Sequence, residues 1–435
     1  MAYDLDRYRA ALRETPGKQE YGRVVEAVGL AIQSQGPRVG LGELCHIEQD
    51  GREPLPAEVV GFREGRVILM PLGKAQAIMP GAAVRPARRP LSIPVGPGLV
   101  SRVVDALGQP IDGKGALAAW GRIPTDRPAP NPLERPMISS VLPTGVRAID
   151  ALATLGEGQR IGIFSGPGVG KSVLLGMMAR GSAADVAVIA LVGERSREVQ
   201  EFVQRDLGPE GMARSVVVVA TADEPALVRV QAAFTAVAIA EYFRDQGSRV
   251  LLLFDSLTRV ATAQREVGLA AGEPPATRGY PPSSFAILPR LLERAGTAPR
   301  GSITGFYTVL VEGDDLQEPI ADSARSVLDG HLVLSRELAD AGIFPALDVG
   351  RSLSRVMRQI VSPEQTAWAQ ALRGHWSTYE DAKDLLRIGA YQAGSSADVD
   401  AAVAIHPRIL GFLRQGEGEI VRFEEALSAL REVAG

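Results

Sequence analysis

The stretch Gly162–Arg180, GIFSGPGVGKSVLLGMMAR, runs from an apolar segment through Gly166, Gly168 and Gly170 to a Lys-Ser pair and a second apolar segment. Few arrangements satisfy that order: RIGIF reads as a strand, VLLGMMAR as a helix, and the glycines as the turn between them. Glycine lets backbone N–H groups curl around an anion where a side chain would clash, and the helix N-terminus adds partial positive charge. Residues Gly166, Pro167, Gly168, Val169, Gly170, Lys171, Ser172 and Val173 are therefore a candidate phosphate cradle. Lys171 would meet the β- and γ-phosphates of a nucleotide, and Ser172 would ligate magnesium. The strict GxxxxGK[ST] pattern is not met, because Ser165 stands where its first glycine belongs. The glycines nearest the phosphates are all present, so the physics of the cradle is kept. A glycine-rich turn without ligand is the alternative.

Such a loop needs a sheet to carry it. The β-branched runs RIGIFS, VAVIALVGE, SVVVVAT, RVLLLFDS, SITGFYTVLV and GHLVLS alternate with helical stretches. Nearly continuous apolar strands separated by helices predict a parallel sheet covered on both faces, here an α/β domain over residues 91–360. Ahead of it, residues 21–90 carry brief apolar runs punctuated by glycine, which predict a small closed β-barrel. Leu5, Tyr8 and Leu12 share one helical face, giving a short N-terminal amphipathic helix within residues 1–20. Five prolines between Arg122 and Pro136 mark an extended connector. Strand signals stop after Pro363, so residues 361–435 read as a helical domain.

Composition narrows the function. With 435 residues the chain is long enough for two or three domains, each with its own core. No segment has the 18 or so uninterrupted apolar residues of a membrane span. The start lacks the pattern of a signal peptide, and the single cysteine, Cys45, cannot form an internal disulfide, which together point to a reducing cytoplasm. A net charge of −4 gives no global basic field, so no nucleic-acid partner is expected. A second anchor for a nucleotide would be an acidic residue ending an apolar strand. VLLLFD supplies Asp255, a candidate magnesium ligand or, alternatively, a helix cap.

GVGKS, GERSREV, LLLFDSLTR, RGYPPSSF and GIFPALDVGRSLSRVM, in that order, resemble the catalytic subunits of rotary ATPases. They resemble more closely the ATPases of type III protein export, flagellar and virulence-associated. LVSRVVDALGQPIDG, LPTGVRAIDAL and IGAYQAGSSADVDAAVAIHPRILGFLRQ extend the likeness over nearly the whole chain. The resemblance implies a RecA-like P-loop core that hydrolyses ATP with Mg2+. It makes Glu194 the carboxylate that polarises the attacking water, and Arg195 and Arg259 contacts of the γ-phosphate that brace it. It makes Arg355 an arginine finger entering a neighbouring subunit's site, where a delocalised guanidinium neutralises charge on the γ-phosphoryl oxygens. Phe344 falls where relatives carry a tyrosine that stacks on adenine; an ordinary core aromatic is the other reading. GER with SLSR joins traits that rotary rings divide between catalytic and noncatalytic subunits, so a homohexamer follows.

By the same resemblance, a stator or regulator docks near the N-terminus and a coiled-coil stalk enters the ring channel, beside Gly272–Ser284. Chaperones and export substrates meet the C-terminal domain, and the ring sits in the cytoplasm against an export gate of the inner membrane. LGELCHI, PGAAVRP and PLSIPVGPGLVSRVVDALGQPIDG resemble the flagellar branch more. The alternatives are a virulence-type secretion ATPase, a rotary catalytic subunit, a noncatalytic nucleotide-binding scaffold and a nucleic-acid translocase.

Overall fold

A computed structural model describes residues 20–311 and 317–434, so the expected N-terminal helix lies outside the described residues. The first compact unit comprises the chain up to Leu91 together with the short segment Ala270–Gly272. It contains six strands: β1 (Gly22–Val28), β2 (Ala31–Gln35), β3 (Glu43–Ile47), β4 (Leu55–Arg63), β5 (Arg66–Pro71) and β6 (Ala83–Pro90). They close in the order β1-β2-β5-β4-β3-β6. Alternation sends Leu55, Ala57 and Val59 of β4 inward to meet Val24, Ile32, Ile47, Leu69 and Val84. Cys45 belongs to this filling, and burial pushes its thiol up to about 11.

The second unit is built on a nine-stranded sheet. A two-stranded ribbon precedes it, β7 (Ser92–Val95) with β9 (Gly121–Pro124), so the proline-rich connector contributes a short strand at its start. The sheet strands are β8 (Arg102–Val104), β10 (Arg160–Ser165), β11 (Val186–Glu194), β12 (Ser215–Thr221), β13 (Arg249–Asp255), β14 (Gly296–Thr297), β15 (Ser302–Leu310), β16 (Gly330–Leu334) and β17 (Leu347–Ser354). Their order is β17-β16-β10-β15-β13-β11-β12-β8, with β14 paired to β15. Strands from β8 to β16 along this path are mutually parallel, as the apolar runs predict. Strand β17 departs from that expectation. It runs antiparallel to β16, because the link between them doubles back along one edge rather than crossing the sheet.

Val250–Asp255 is buried along its length, as a strand covered on both faces must be. The helix Ala226–Asp245 is long and apolar enough to cross a membrane, yet it lies against β11, β12 and β13 and is almost entirely buried there. The tail forms three helices, Pro363–Arg387, Ala397–Leu413 and Phe423–Ala434. Leu372, Trp376, Ile409, Phe412 and Leu430 from these helices share one apolar cluster with Ile161, Leu174 and Met178 around the glycine loop. Each large side chain buried there contributes about 1.5–3 kcal/mol relative to exposure.

Candidate active site

Strand β10 ends at Ser165, and the helix Lys171–Gly181 begins after five intervening residues. Gly168 and Gly170 hold φ of +77° and +87°, a region that favours glycine, and Gly170 caps the helix from that conformation. A Cβ on Gly168 would project into open space, so the backbone there is free to approach a ligand. Ser165 is still regular strand, fully buried, with its carbonyl accepting the Val311 N–H at 3.1 Å. The departure from the strict motif therefore falls where no left-handed glycine is needed.

Parallel strands bring their carboxyl ends to one edge, where ligands of open α/β sheets bind. Four candidate residues converge there. Lys171 Nζ donates to Asp255 Oδ1 at 2.6 Å and lies 3.6 Å from Glu194 Oε1. Arg259, one turn into the helix after β13, donates from Nη2 to Glu194 Oε2 at 3.3 Å and from Nη1 to the Gly193 carbonyl at 2.7 Å. Its Nε is 3.1 Å from Glu194 Oε1, but the approach is off-line, and Oε1 is buried without an aligned donor. Burial pushes the Glu194 carboxyl up to about 7. A hydrogen bond shared with Glu198 and the Asp255 charge push the same way, against Lys171 and Arg259. A buried carboxylate with one oxygen unclaimed, facing a lysine and an open backbone cradle, is chemically suited to a triphosphate, a divalent cation and a water.

Other candidate residues are placed as follows. Ser172 and Arg195 are exposed; Arg195 lies 3.6 Å from Glu198 at the mouth of the site. The Phe344 ring is 42% exposed and reaches within 3.4 Å of where a Cβ on Gly170 would be, so an open aromatic face lies beside the loop. Val173 is half-buried on the first turn of the loop helix. Arg355 is on the wrong side for its own loop. Ser354 pairs with Gly330 and Gly162 with His331, so β17 ends level with the start of β10. The Arg355 N–H donates at 3.0 Å to the Asp329 carbonyl, and the Asp329 carboxylate grips Arg160 where β10 begins. Five strand residues, roughly 17 Å, separate that level from Gly166.

Sequence reasoning missed four positions. Gly193 sits at a bulge in β11 with φ of +73°, which turns Glu194 out of strand register; its neighbours GE–R were the only cue. Thr308 donates to Asp255 Oδ1 at 2.7 Å and holds that carboxylate toward Lys171. Arg336 donates to the Pro167 carbonyl at 3.0 Å and ties down the loop. Gln415, far along the chain, is bonded to the Phe344 main chain. None of the last three carries a local sequence signal.

Residues 145–354 match the nucleotide-binding domain of the ATP synthase alpha/beta family, residues 19–88 match its β-barrel domain, and residues 361–432 match the C-terminal domain of the type III secretion ATPase EscN. The chain belongs to the ATP synthase alpha/beta family. Among its curated relatives, the flagellum-specific ATP synthase of Bacillus subtilis is 52% identical, with 97% of each chain covered. The type 3 secretion system ATPase of Xanthomonas euvesicatoria is 51% identical, with 95% of this chain and 94% of that one covered. The assembled ATPase EscN from the type III secretion system of enteropathogenic E. coli superposes with a TM-score of 0.90 at 43% identity, over 95% of this chain and 100% of that one. EscN has also been solved in complex with its central stalk EscO. Family members of this kind bind nucleotide. Flagellar and secretion relatives match almost equally.

Proposed function

We propose that the chain is an ATP hydrolase that energises type III protein export as a homohexameric ring, with flagellar components as cargo. The observation that carries the reading is the convergence of Lys171, Asp255, Glu194 and Arg259 at the mouth of the glycine loop. Backbone N–H groups from Gly166 to Gly170 cradle the phosphates, and Lys171 exchanges its carboxylate partners for phosphate oxygens. Ser172 and Asp255 would hold magnesium, which would supply neutralisation of charge on the phosphate oxygens. Glu194, kept in place by Arg259 and the bulge at Gly193, accepts a hydrogen bond from the attacking water and orients it in line. Arg195 and Arg259 contact the γ-phosphate, and Phe344 offers its open face to the base. Arg355, on the opposite edge from its own loop, serves the site of an adjacent copy, so one chain alone is incomplete.

On this reading residues 1–20 meet a stator or regulator, residues 361–435 meet chaperones and cargo, a coiled-coil stalk occupies the channel, and the ring works in the cytoplasm against the membrane export gate. Support for the partners comes from the EscN–EscO complex and from the match of the tail to the secretion-ATPase domain. ATP turnover measured against protein concentration tests the core of the proposal. Specific activity should rise with assembly and vanish in Lys171→Ala; flat activity from dilute monomer would overturn the ring. A deletion strain that keeps motility but loses effector secretion would move the cargo to the virulence branch.

A further inference from the structure

The Gln415 side chain is only 5% exposed, and all of its hydrogen-bonding groups are used. Its Oε1 accepts the Arg147 N–H at 2.7 Å, and its Nε2 donates to the Gly145 carbonyl at 2.7 Å and to the Glu419 carbonyl at 2.9 Å. Its own backbone N–H donates to the Phe344 carbonyl at 2.8 Å. One residue thus joins the turn before the helix Arg147–Leu152, the link between the last two tail helices, and the aromatic that stands over Gly170. Arg147 reinforces the junction from the other side, bonding the Phe412 and Arg414 carbonyls and pairing with Glu419 at 2.6 Å. Arg180, in the last turn of the phosphate-loop helix, donates to the Glu417 carbonyl at 2.5 Å.

We propose that Gln415 is the positioning residue for the base-binding side of the site: its buried amide fixes the link Arg414–Val421, and that link fixes where Phe344 stands. Phe344 itself lies in a connection after the short helix Arg336–Asp340 and leaves a large part of its ring exposed, so its own packing holds it only in part. The hydrogen bond to Gln415 supplies a second constraint. Three buried polar contacts converge on one amide, so an apolar side chain of similar size cannot replace it without stripping the Glu419 carbonyl and the Arg147 N–H of this partner and leaving the Gly145 carbonyl only the Val421 N–H at 3.1 Å. Gln415 touches no phosphate-binding group, so its influence is on affinity and not on the chemical step. The inference rests on the reading of this site as a nucleotide site with Phe344 beside the base.

The test is a double-mutant cycle on the assembled protein with Gln415→Leu, Phe344→Ala and the pair, measuring KM and kcat for ATP. Gln415→Leu should raise KM about tenfold while kcat at saturation stays within about twofold. In the Phe344→Ala background the same change should add little, because the two act through one contact. Fully additive effects, or an unchanged KM in Gln415→Leu, would overturn the inference. Phe344→Ala with unchanged KM would instead remove the base-side role of Phe344, a failure of the functional reading and separate from that of Gln415. Should Gln415→Leu not fold, amide exchange in the unaltered protein decides: residues 412–421 should gain protection on binding the Mg2+ complex of a non-hydrolysable ATP analogue, and no change there would refute the coupling.

Discussion

Replacing Glu194 by Gln removes the carboxylate from a chain's own site and leaves its Arg355 intact, whereas Arg355→Ala does the reverse. Strand β17 ends level with the start of β10, about 17 Å in strand length from the phosphate loop, so Arg355 cannot reach the loop of its own chain without unravelling the sheet edge. If it completes a neighbour's site, each variant alone should lose roughly a thousandfold or more in turnover, the scale on which fingers and water-orienting groups act. Mixed in equal amounts and reassembled, the two should complement. A site works when an Arg355→Ala chain supplies Glu194 and the adjacent chain is Glu194→Gln with its finger, which random placement meets at about a quarter of the interfaces. Phosphate release should therefore recover to about a quarter of the unaltered rate, with light scattering confirming assembly of each mixture. Arg355→Lys assembled alone should stay nearly as slow as Arg355→Ala, because an ammonium lacks the planar fork. A mixture no more active than the sum of its separate components would refute the geometry-based argument for action between copies.

Protonation gives a second prediction. Glu194 is raised to about 7 mainly by burial, so its ionised form is lost as pH falls through that value, and kcat/KM, which reports the free enzyme, should show an acidic limb near 7. Glu198→Gln removes one of the raising contacts and should move the limb to lower pH; an unmoved limb would assign it elsewhere. The raised value also means that the nucleotide-free fold binds a proton more readily than the unfolded chain, so this group's contribution to stability falls as pH rises from the ordinary carboxylate range toward 7. Gly193→Ala places a Cβ 2.9 Å from Arg259 Cδ at a left-handed φ, with strain of about 1–2 kcal/mol. It should lower kcat by displacing Arg259 and lower Tm slightly, and wild-type values for both would show that the bulge does not set the site. Arg294→Met removes both hydrogen bonds that arginine donates to Glu241, which is 1% exposed, and leaves the carboxylate only Arg127 at 3.5 Å. A loss of about 3–5 kcal/mol is expected in urea denaturation, and a loss below about 1 kcal/mol would mean the pair is dispensable.

The loop, Asp255 and the parallel strands were readable because each is specified by neighbours in sequence: alternating glycines, an acid closing an apolar run, β-branched runs between helices; Glu194 was singled out by the family resemblance of GER. Strand β17 was not, since its buried and exposed residues alternate with charges and it lies at an edge, where little apolar character is required. Strand β8 has only three residues and takes its identity from pairing with β12. Thr308, Arg336 and Gln415 act through contacts between segments distant in sequence, so no local pattern could have marked them. Arg355 was legible as a residue type in a motif, but the edge on which it stands follows only from the antiparallel register.

The barrel's single cysteine has a practical consequence. Cys45 is sealed inside a closed barrel, and its thiol resists ionisation at neutral pH, so the natural chain offers alkylating dyes almost no target while folded. One cysteine introduced at an exposed position could then be labelled alone, without first stripping the sequence of others, and spin or fluorophore distances across neighbouring copies could be read from an otherwise unaltered protein.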